Sequence, residues 1–431
     1  MGQRRIVVTG LGVIASNASN KEEFCHSLQT GTSGIKEVTL FDVNPYCNAH
    51  AGAIDGKHIA PEYPADSYDR ATRLALTASR EALGDAGLPL TQPLGPRARV
   101  ALGNSLGGWF SYCEHMRSEH RAGVAAAAAE PFDGLVNVPP CRIASAICEE
   151  FGISGGHVTA VTACAAGSNS IALGLDMIRE NRADVVLSCA TDPLCELSFS
   201  GFNILMVMTS GVSRPFDRNR TGLLVGEGAG CLVLEELEHA RKRNARIYCE
   251  IPGYGLSNDA HHPTQPDPTA SGACRAISRA LTDAGIDPSE MDYINAHGTS
   301  TVYNDLTELR AVRQMYGERS SQIPISSIKS MIGHTLGAAG VIEAIATVLA
   351  LEKQFLPPTV NFETPMDDFN FDFVPQSRPI TDARVMSSQS FGFGGNAACI
   401  IFRKLQNEPE TAFLPIFHAG LTSPEGIPHH V

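Results

Sequence analysis

The stretch "VTACAAGSNSIALGLDMI", Val161–Ile178, places a thiol, Cys164, between alanines at the head of an apolar run. "VTAVTA" reads as a buried strand, and "GSNSIALGLDMI" carries apolar residues at helical spacing, so Cys164 falls at a strand-to-helix turn. A helix N-terminus presents free N–H groups and the positive end of the helix dipole. Both favour a thiolate and lower the thiol pKa, and the same N–H groups stabilise an oxyanion. Ala163, Ala165, Ala166 and Gly167 leave room for a thioester to approach. A thiol nucleophile needs partners. His297 lies in "NAHGTST", after the strand-like "YIN", and His334 lies in "SSIKSMIGHTLGAAG", just ahead of a second apolar helix. Lys329, five residues before His334, is placed to orient or charge them. Taken singly, each residue serves a packed core as well as it serves chemistry, since buried cysteines are common small core residues. Three of them in corresponding turns favour chemistry.

The elements around these turns are written twice. "ALGDAGL" (Ala82–Leu88) recurs as "ALTDAGI" (Ala280–Ile286), each closing an Ala-rich helical run. Each run is preceded by a strand leading into glycine, "RIVVTGLGV" and "ARIYCEIPGYGL", and followed by a strand ending in small residues, "RVALGNSLGG" and "MDYINAHGTS". "CAAG" (Cys164–Gly167) and "GAAG" (Gly337–Gly340) each open an apolar helix. Such order predicts a duplicated α/β fold. The expected division is an N-terminal half over 1–250 with the thiol, a C-terminal half over 251–404 with both histidines, and an extension over 405–431 rich in Pro, Gly and Glu. In α/β sheets, sites lie beyond the carboxyl ends of strands, where these turns fall.

Composition narrows the class. Hydrophobic residues make up 43% of the 431 and charged residues only 18%, which suits a tightly packed α/β enzyme. The net charge of −13 argues against nucleic acid. The 12 cysteines show no metal-binding spacing, so no metal or other cofactor is expected. "HHP" at His261–His262 reads as a loop, and "LLVGEGAG" lacks the ending of a nucleotide cradle. "MGQRRIVVTG" has no signal-peptide core, Gly2 with Ile6 fails the myristoylation pattern, and no apolar run reaches spanning length. The expectation is a cytoplasmic protein with reduced thiols and no membrane span. "SQSFGFGGNAACIIF" sets Phe391 and Phe393 among Gly392, Gly394 and Gly395, a tight turn whose aromatics suit the wall of an acyl tunnel.

Together, "TACAAGSNS", "RPFDRNRTGLLVGEGAG", "NAHGTSTVYND", "SSIKSMIGHTLGAAG" and "FGFGGN" resemble the elongating β-ketoacyl-acyl carrier protein synthases, from about Arg5 to Arg403. The resemblance implies a thiolase-like fold, two βαβαβαββ halves in five α-β-α-β-α layers, usually dimeric. It implies that Cys164 is acylated, that His297 and His334 act on a malonyl unit, and that Lys329 supports them. Glu308 takes the place of a structural carboxylate. Phe393 takes the place of a gate whose N–H joins that of Cys164 in the oxyanion hole, with Phe391 beside it. Substrates would arrive on the phosphopantetheine of acyl carrier protein.

The Cys-His-His set differs from the Cys-His-Asn of initiating synthases and from the second cysteine of thiolases. It also argues against a non-catalytic partner chain and a decarboxylase, both of which lack the cysteine. Ala165-Ala166 and Val302-Tyr303 depart from the family's usual hydroxyl residues and Pro. Leu106 and Trp109 are the expected acyl-pocket residues. These departures leave fatty-acid, aryl-polyene and polyketide substrates open, and with them a homodimer or a heterodimer with a chain-length-factor-like homologue. Carrier proteins are acidic, so an acidic enzyme needs a local basic patch. Arg70 and Arg73 are the expected docking residues.

Overall fold

The computed structural model describes residues 4–122, 136–366 and 368–405. Beyond Leu405, the expected extension lies outside the described residues. The first strand, β1 (Ile6–Ala15), is buried along its whole length. Its glycines make that possible. A Cβ at Gly12 would fall 1.9 Å from the Ala78 carbonyl oxygen, on the Ala-rich helix α1 (Arg70–Asp85). The second half repeats the contact. A Cβ at Gly255, on β6 (Cys249–Asn258), would fall 2.0 Å from the Ala276 oxygen of α6 (Ser271–Ala284). Small residues on strand and helix therefore let both pairs pack at backbone contact.

The remaining elements follow the same plan. The first half adds β2 (Ala98–Gly103), α2 (Trp109–Ala122), α3 (Pro140–Glu150), β3 (His157–Ala160), α4 (Ala166–Arg179), β4 (Val185–Asp192), α5 (Glu196–Ile204) and β5 (Gly228–Glu236). The second adds β7 (Tyr293–Asn295), α7 (Val302–Tyr316), β8 (Pro324–Ser326), α8 (Ala339–Lys353), β9 (Asp372–Phe373), β10 (Val385–Gly392) and β11 (Asn396–Arg403). Hydrogen-bonded neighbours run β9-β8-β7-β10-β11-β6-β1-β5-β4-β2-β3. Within each half, the first, second, third, fourth and fifth strands take the spatial order 3-2-4-5-1, and β9 is one more strand at the edge. β1 and β6 join the halves through only two pairs, Val7 with Glu250 and Val8 with Cys249.

Three apolar cores fill the layers. The middle one packs α4 and α8 between the two half-sheets, through residues such as Val8, Ile171, Ile342 and Ile400. One outer core packs α1 and α3 on the first half, with Leu74, Leu102 and Ile143. The other packs α6 and α7 on the second, with Ile277, Leu309 and Ile401. Burying one such side chain contributes about 1.5–3 kcal/mol. The fold is the thiolase-like α/β arrangement that the resemblance implies, with helices in the middle and on both outer faces. Among the described residues, no helix is long and apolar enough to cross a membrane.

Candidate active site

Strand β3 ends at Ala160, and the chain turns into α4 through a short 3₁₀ turn, Ala163–Ala165. Ala163 holds φ at +49°, a left-handed conformation that is strained for a residue with a Cβ. The second half makes the same turn at Leu336–Ala338, with Leu336 at φ +55° before α8. Cys164 and Gly337 thus occupy equivalent positions. The helix starts cross at glycines: a Cβ at Gly340 would fall 2.4 Å from the Ser168 nitrogen, and one at Gly167 2.8 Å from the Gly337 oxygen. This crossing brings both turns to one place at the middle of the molecule.

The two turns are completed differently. At the end of β4, Asp192 accepts from the Gly337 N–H at 2.6 Å, from Leu106 at 2.9 Å and from Ser105 at 3.1 Å. The residue at the matching end of β10 is Gly392, and a Cβ there would lie 3.1 Å from the Cys164 nitrogen. In place of a carboxylate, the first turn has a bare glycine packed against it, and the thiol. The amides of Phe393 and of Cys164 itself favour the Cys164 thiolate. Burial nonetheless pushes the thiol up to about 12, with Lys329 and the two amides pulling the other way. The helix-end argument predicts a depressed thiol pKa; desolvation of a 7% exposed side chain outweighs it.

The second half supplies the groups facing the thiol. Val225 pairs with His334 as an isolated bridge, and the His334 N–H bonds to the Leu224 oxygen at 2.7 Å. The His334 Nδ1 accepts the Leu336 N–H at 3.3 Å, so a neutral ring carries its proton on Nε2. Nδ1 of His297 lies 3.2 Å from the Lys329 Nζ, an ammonium donor, which gives the same tautomer. The rings stand edge to face with centroids 5.3 Å apart. Burial first, then the Lys329 charge, holds both imidazoles well below their ordinary pKa, so both are neutral. Glu308 accepts from the N–H groups of His297 at 2.7 Å and Gly298 at 2.8 Å, which pins the turn after β7. Phe391 sets its ring edge-on to His297, and Phe393 stacks on Phe202 at 5.8 Å.

An open cavity is lined by Cys164, His297, His334, Phe391 and Phe393 together with Phe202, Thr299 and Thr301. Exposed apolar Tyr303 also lines it, while Val302 lies beside Tyr303 on α7. Leu106 and Trp109 do not line this cavity. Leu106 packs beside Phe199 and Leu336, and Trp109 opens α2 with its ring against Tyr112. His261 and His262 form a loop, and among the described residues no group of three His, Cys, Asp or Glu side chains is set to hold a metal.

The expected docking role of Arg70 is corrected. Arg70 is 7% exposed and grips buried Glu227 through two 2.7 Å bonds, because a carboxylate sealed beneath α1 requires a cation. Arg70 therefore presents no free charge. Arg73 is half-buried and donates to the Tyr63 oxygen at 2.7 Å. Sequence reasoning also missed Glu343, which pairs with Lys329 inside the core. The signal was a lone carboxylate in the otherwise apolar "AAGVIEAIATVLAL". Asp192, a carboxylate at the end of the strand "VVLSCATD", was the other signal.

Family models agree with this arrangement. The model of the β-ketoacyl synthase N-terminal domain matches residues 3–240, and that of the C-terminal domain matches 248–363. The chain is 35% identical to the 3-oxoacyl-[acyl-carrier-protein] synthase 2 of Coxiella burnetii over 94% of its length and 100% of that protein. It is 37% identical to the enzyme of the same name from Synechocystis sp., over 94% of this chain and 99% of that one. Among solved structures, a chain of the ishigamide ketosynthase/chain length factor superposes with a TM-score of 0.88 at 37% identity, covering 94% of this chain and all of that one. A type II PKS acyl-carrier protein complex with its ketosynthase gives a TM-score of 0.83 at 32% identity, with coverage of 94% and 100%. With both domain models and full-length relatives matched, this chain belongs to the β-ketoacyl synthase family.

Proposed function

We propose that the chain condenses an acyl thioester with a malonyl thioester, both on acyl carrier protein, and releases 3-oxoacyl-carrier protein and CO₂. The first half supplies the nucleophile and the second supplies both histidines. The reading rests above all on one observation: Cys164, whose own amide and that of Phe393 favour its thiolate, shares one cavity with neutral His297 and His334. Sulfur attacks the acyl carbonyl, and the two amides receive the negative oxygen. The proton of Cys164 leaves with the departing phosphopantetheine thiol. A malonyl unit then enters, and its carboxylate leaves as CO₂. The Nε2–H groups of His297 and His334 hold the enolate oxygen, which neutral donors do without losing a proton. The enolate carbon attacks the acyl-cysteine, the C–S bond breaks, and the thiolate takes up one proton.

We read the working assembly as two ketosynthase-like chains in the cytoplasm. β3 is the edge strand of the first half, followed by Val161 at 56% exposure, an edge suited to a partner strand. A partner that is itself a chain-length factor is the second reading, favoured by the ishigamide pair and by a 26% identical ketosynthase solved with its chain length factor from Xenorhabdus doucetiae. Substrates of fatty-acid, aryl-polyene or polyketide type separate on one experiment. Wild type and Cys164→Ala are incubated with a panel of acyl-carrier proteins, then with malonyl-carrier protein, and weighed intact. An adduct on wild type alone, discharged as a 3-oxoacyl product, is expected. An adduct that survives Cys164→Ala removes Cys164 as nucleophile. If wild type is acylated only after a homologous partner is added, the heterodimer reading holds.

A further inference from the structure

Exposed large apolar side chains gather at the mouth of the cavity, on two segments. One is the turn Ile204–Met206 at the end of α5, between Phe202 and Val207, which line the cavity. The other is Val302 and Tyr303, which open α7 beside the lining residue Thr301. The Arg214 N–H donates to the Ser300 Oγ at 2.9 Å, which ties the chain after the first segment to the turn before the second. The stretches "FNILMVMTSGVS" (202–213) and "GTSTVY" (298–303) carry no charged residue, in a chain that is 18% charged.

Met206 is held unfavourably in two ways. It follows α5 with φ at +54°, the left-handed position after a helix where glycine is favoured. The Met206 N–H bonds to the Asn203 oxygen at 3.0 Å and the Val207 N–H to the Phe202 oxygen at 3.3 Å, so the turn closes through backbone alone. Yet the methionine side chain is kept, and the residue is 88% exposed. Backbone strain of this kind clusters at functional sites, and an apolar side chain in water gains from a partner that covers it. The second segment has an equally fixed support. Buried Arg220 donates to the Thr301 oxygen at 3.2 Å and to the Val302 oxygen at 2.9 Å, while Tyr303 is 60% exposed.

We propose that Ile204, Leu205, Met206, Val302 and Tyr303 form an apolar collar on which acyl carrier protein seats while its phosphopantetheine arm passes to Cys164. On the condensing reading, which this collar presupposes, the arm must enter by this mouth. An acidic carrier protein and a chain of net charge −13 repel each other. A charge-free collar lets them meet through apolar contact. Arg70, the expected docking cation, is committed to Glu227.

In the assembly that acylates Cys164, wild type, Met206→Gly and Tyr303→Ser are compared on two donors. One is an acyl-carrier protein; the other is the same acyl group on N-acetylcysteamine, which has no carrier to dock. Glycine suits the left-handed backbone, so Met206→Gly is expected to melt no lower than wild type. With the carrier protein, each variant is expected to raise KM about tenfold, the scale of uncovering one apolar side chain. With the N-acetylcysteamine thioester, kcat/KM of Met206→Gly is expected to match wild type. Met206→Leu, which keeps an apolar side chain, is expected to keep the wild-type KM for the carrier protein. Raising NaCl from about 0.05 M to about 0.5 M is expected to change that KM by less than about threefold, because apolar contact is not screened. A carrier-protein KM untouched by Met206→Gly and Tyr303→Ser, or one that climbs steeply with salt, overturns the collar and leaves the condensing reading standing. Dissociation of either variant into single chains assigns the surface to a second copy and also overturns it. Wild type that accepts neither donor overturns the condensing reading, and the collar with it.

Discussion

Lys329 Nζ donates to the main-chain oxygen of His297 at 2.6 Å and lies 3.2 Å from Nδ1 of the same residue. One ammonium therefore holds His297 by backbone and ring, and buried Glu343 balances it. Lys329→Ala leaves Glu343 buried without its cation, at a cost of about 3–5 kcal/mol. It also releases the ring, with a loss of about a hundredfold in condensation. The double variant Lys329→Met with Glu343→Leu is expected to regain stability in urea unfolding but not the rate. Recovery of both would reduce Lys329 to a structural ion pair.

The histidines set a pH signature. His297 and His334 are neutral in the fold, held below an unfolded pKa of about 6.5. As pH falls through about 6.5, the unfolded chain takes up protons that the folded chain refuses, so their share of stability is lost on acidification. Nitrogen-15 spectra are expected to show both rings neutral from pH 7.5 down to 5.5. A transition near 6.5 in either buried ring would contradict the neutral-donor mechanism.

Gly392 offers a sharper test. Gly392→Asp reproduces at Cys164 the carboxylate that Asp192 already supplies to Gly337. We expect acylation to fall by about 10²–10³, the loss typical of a removed oxyanion-hole donor. Melting temperature and intact mass distinguish this block from simple unfolding. Undiminished acylation in a folded Gly392→Asp protein would place the oxyanion elsewhere.

Arg70→Ala distinguishes burial from docking. Removing the guanidinium strands Glu227 and is expected to destabilise the fold by about 3–5 kcal/mol in denaturant. In the protein that remains folded, KM for the carrier protein is expected to be unchanged. A rise in KM with stability intact would restore Arg70 as a docking residue.

Much of this arrangement was legible before any coordinates. The doubled words around Ala82 and Ala280 mark the two outer helices, because a strand glycine and a helix alanine must recur together for such close packing. The turns at Cys164, His297 and His334 could be placed because strands ending in small residues announce them. What the sequence hides is which charges face inward. Arg70 looks like an exposed basic residue on an amphipathic helix until Glu227, 157 positions away, is seen beneath it. The thiol of Cys164 reads as activated by its helix until the depth of its burial is known. Long-range pairing and desolvation are properties of the assembled core, not of local pattern.

The Asp192–Gly337 bond has a further meaning for the history of a doubled chain. Each half brings one anion-accepting turn, and a carboxylate from the first half permanently fills the turn of the second. Symmetry is broken by a single internal ligand. One turn keeps the thiol for chemistry while its twin becomes a rivet between the halves. Neither half is then a reduced version of the whole: divided between β5 and β6, one fragment would hold the thiol without the histidines, and the other the histidines without the carboxylate for Gly337.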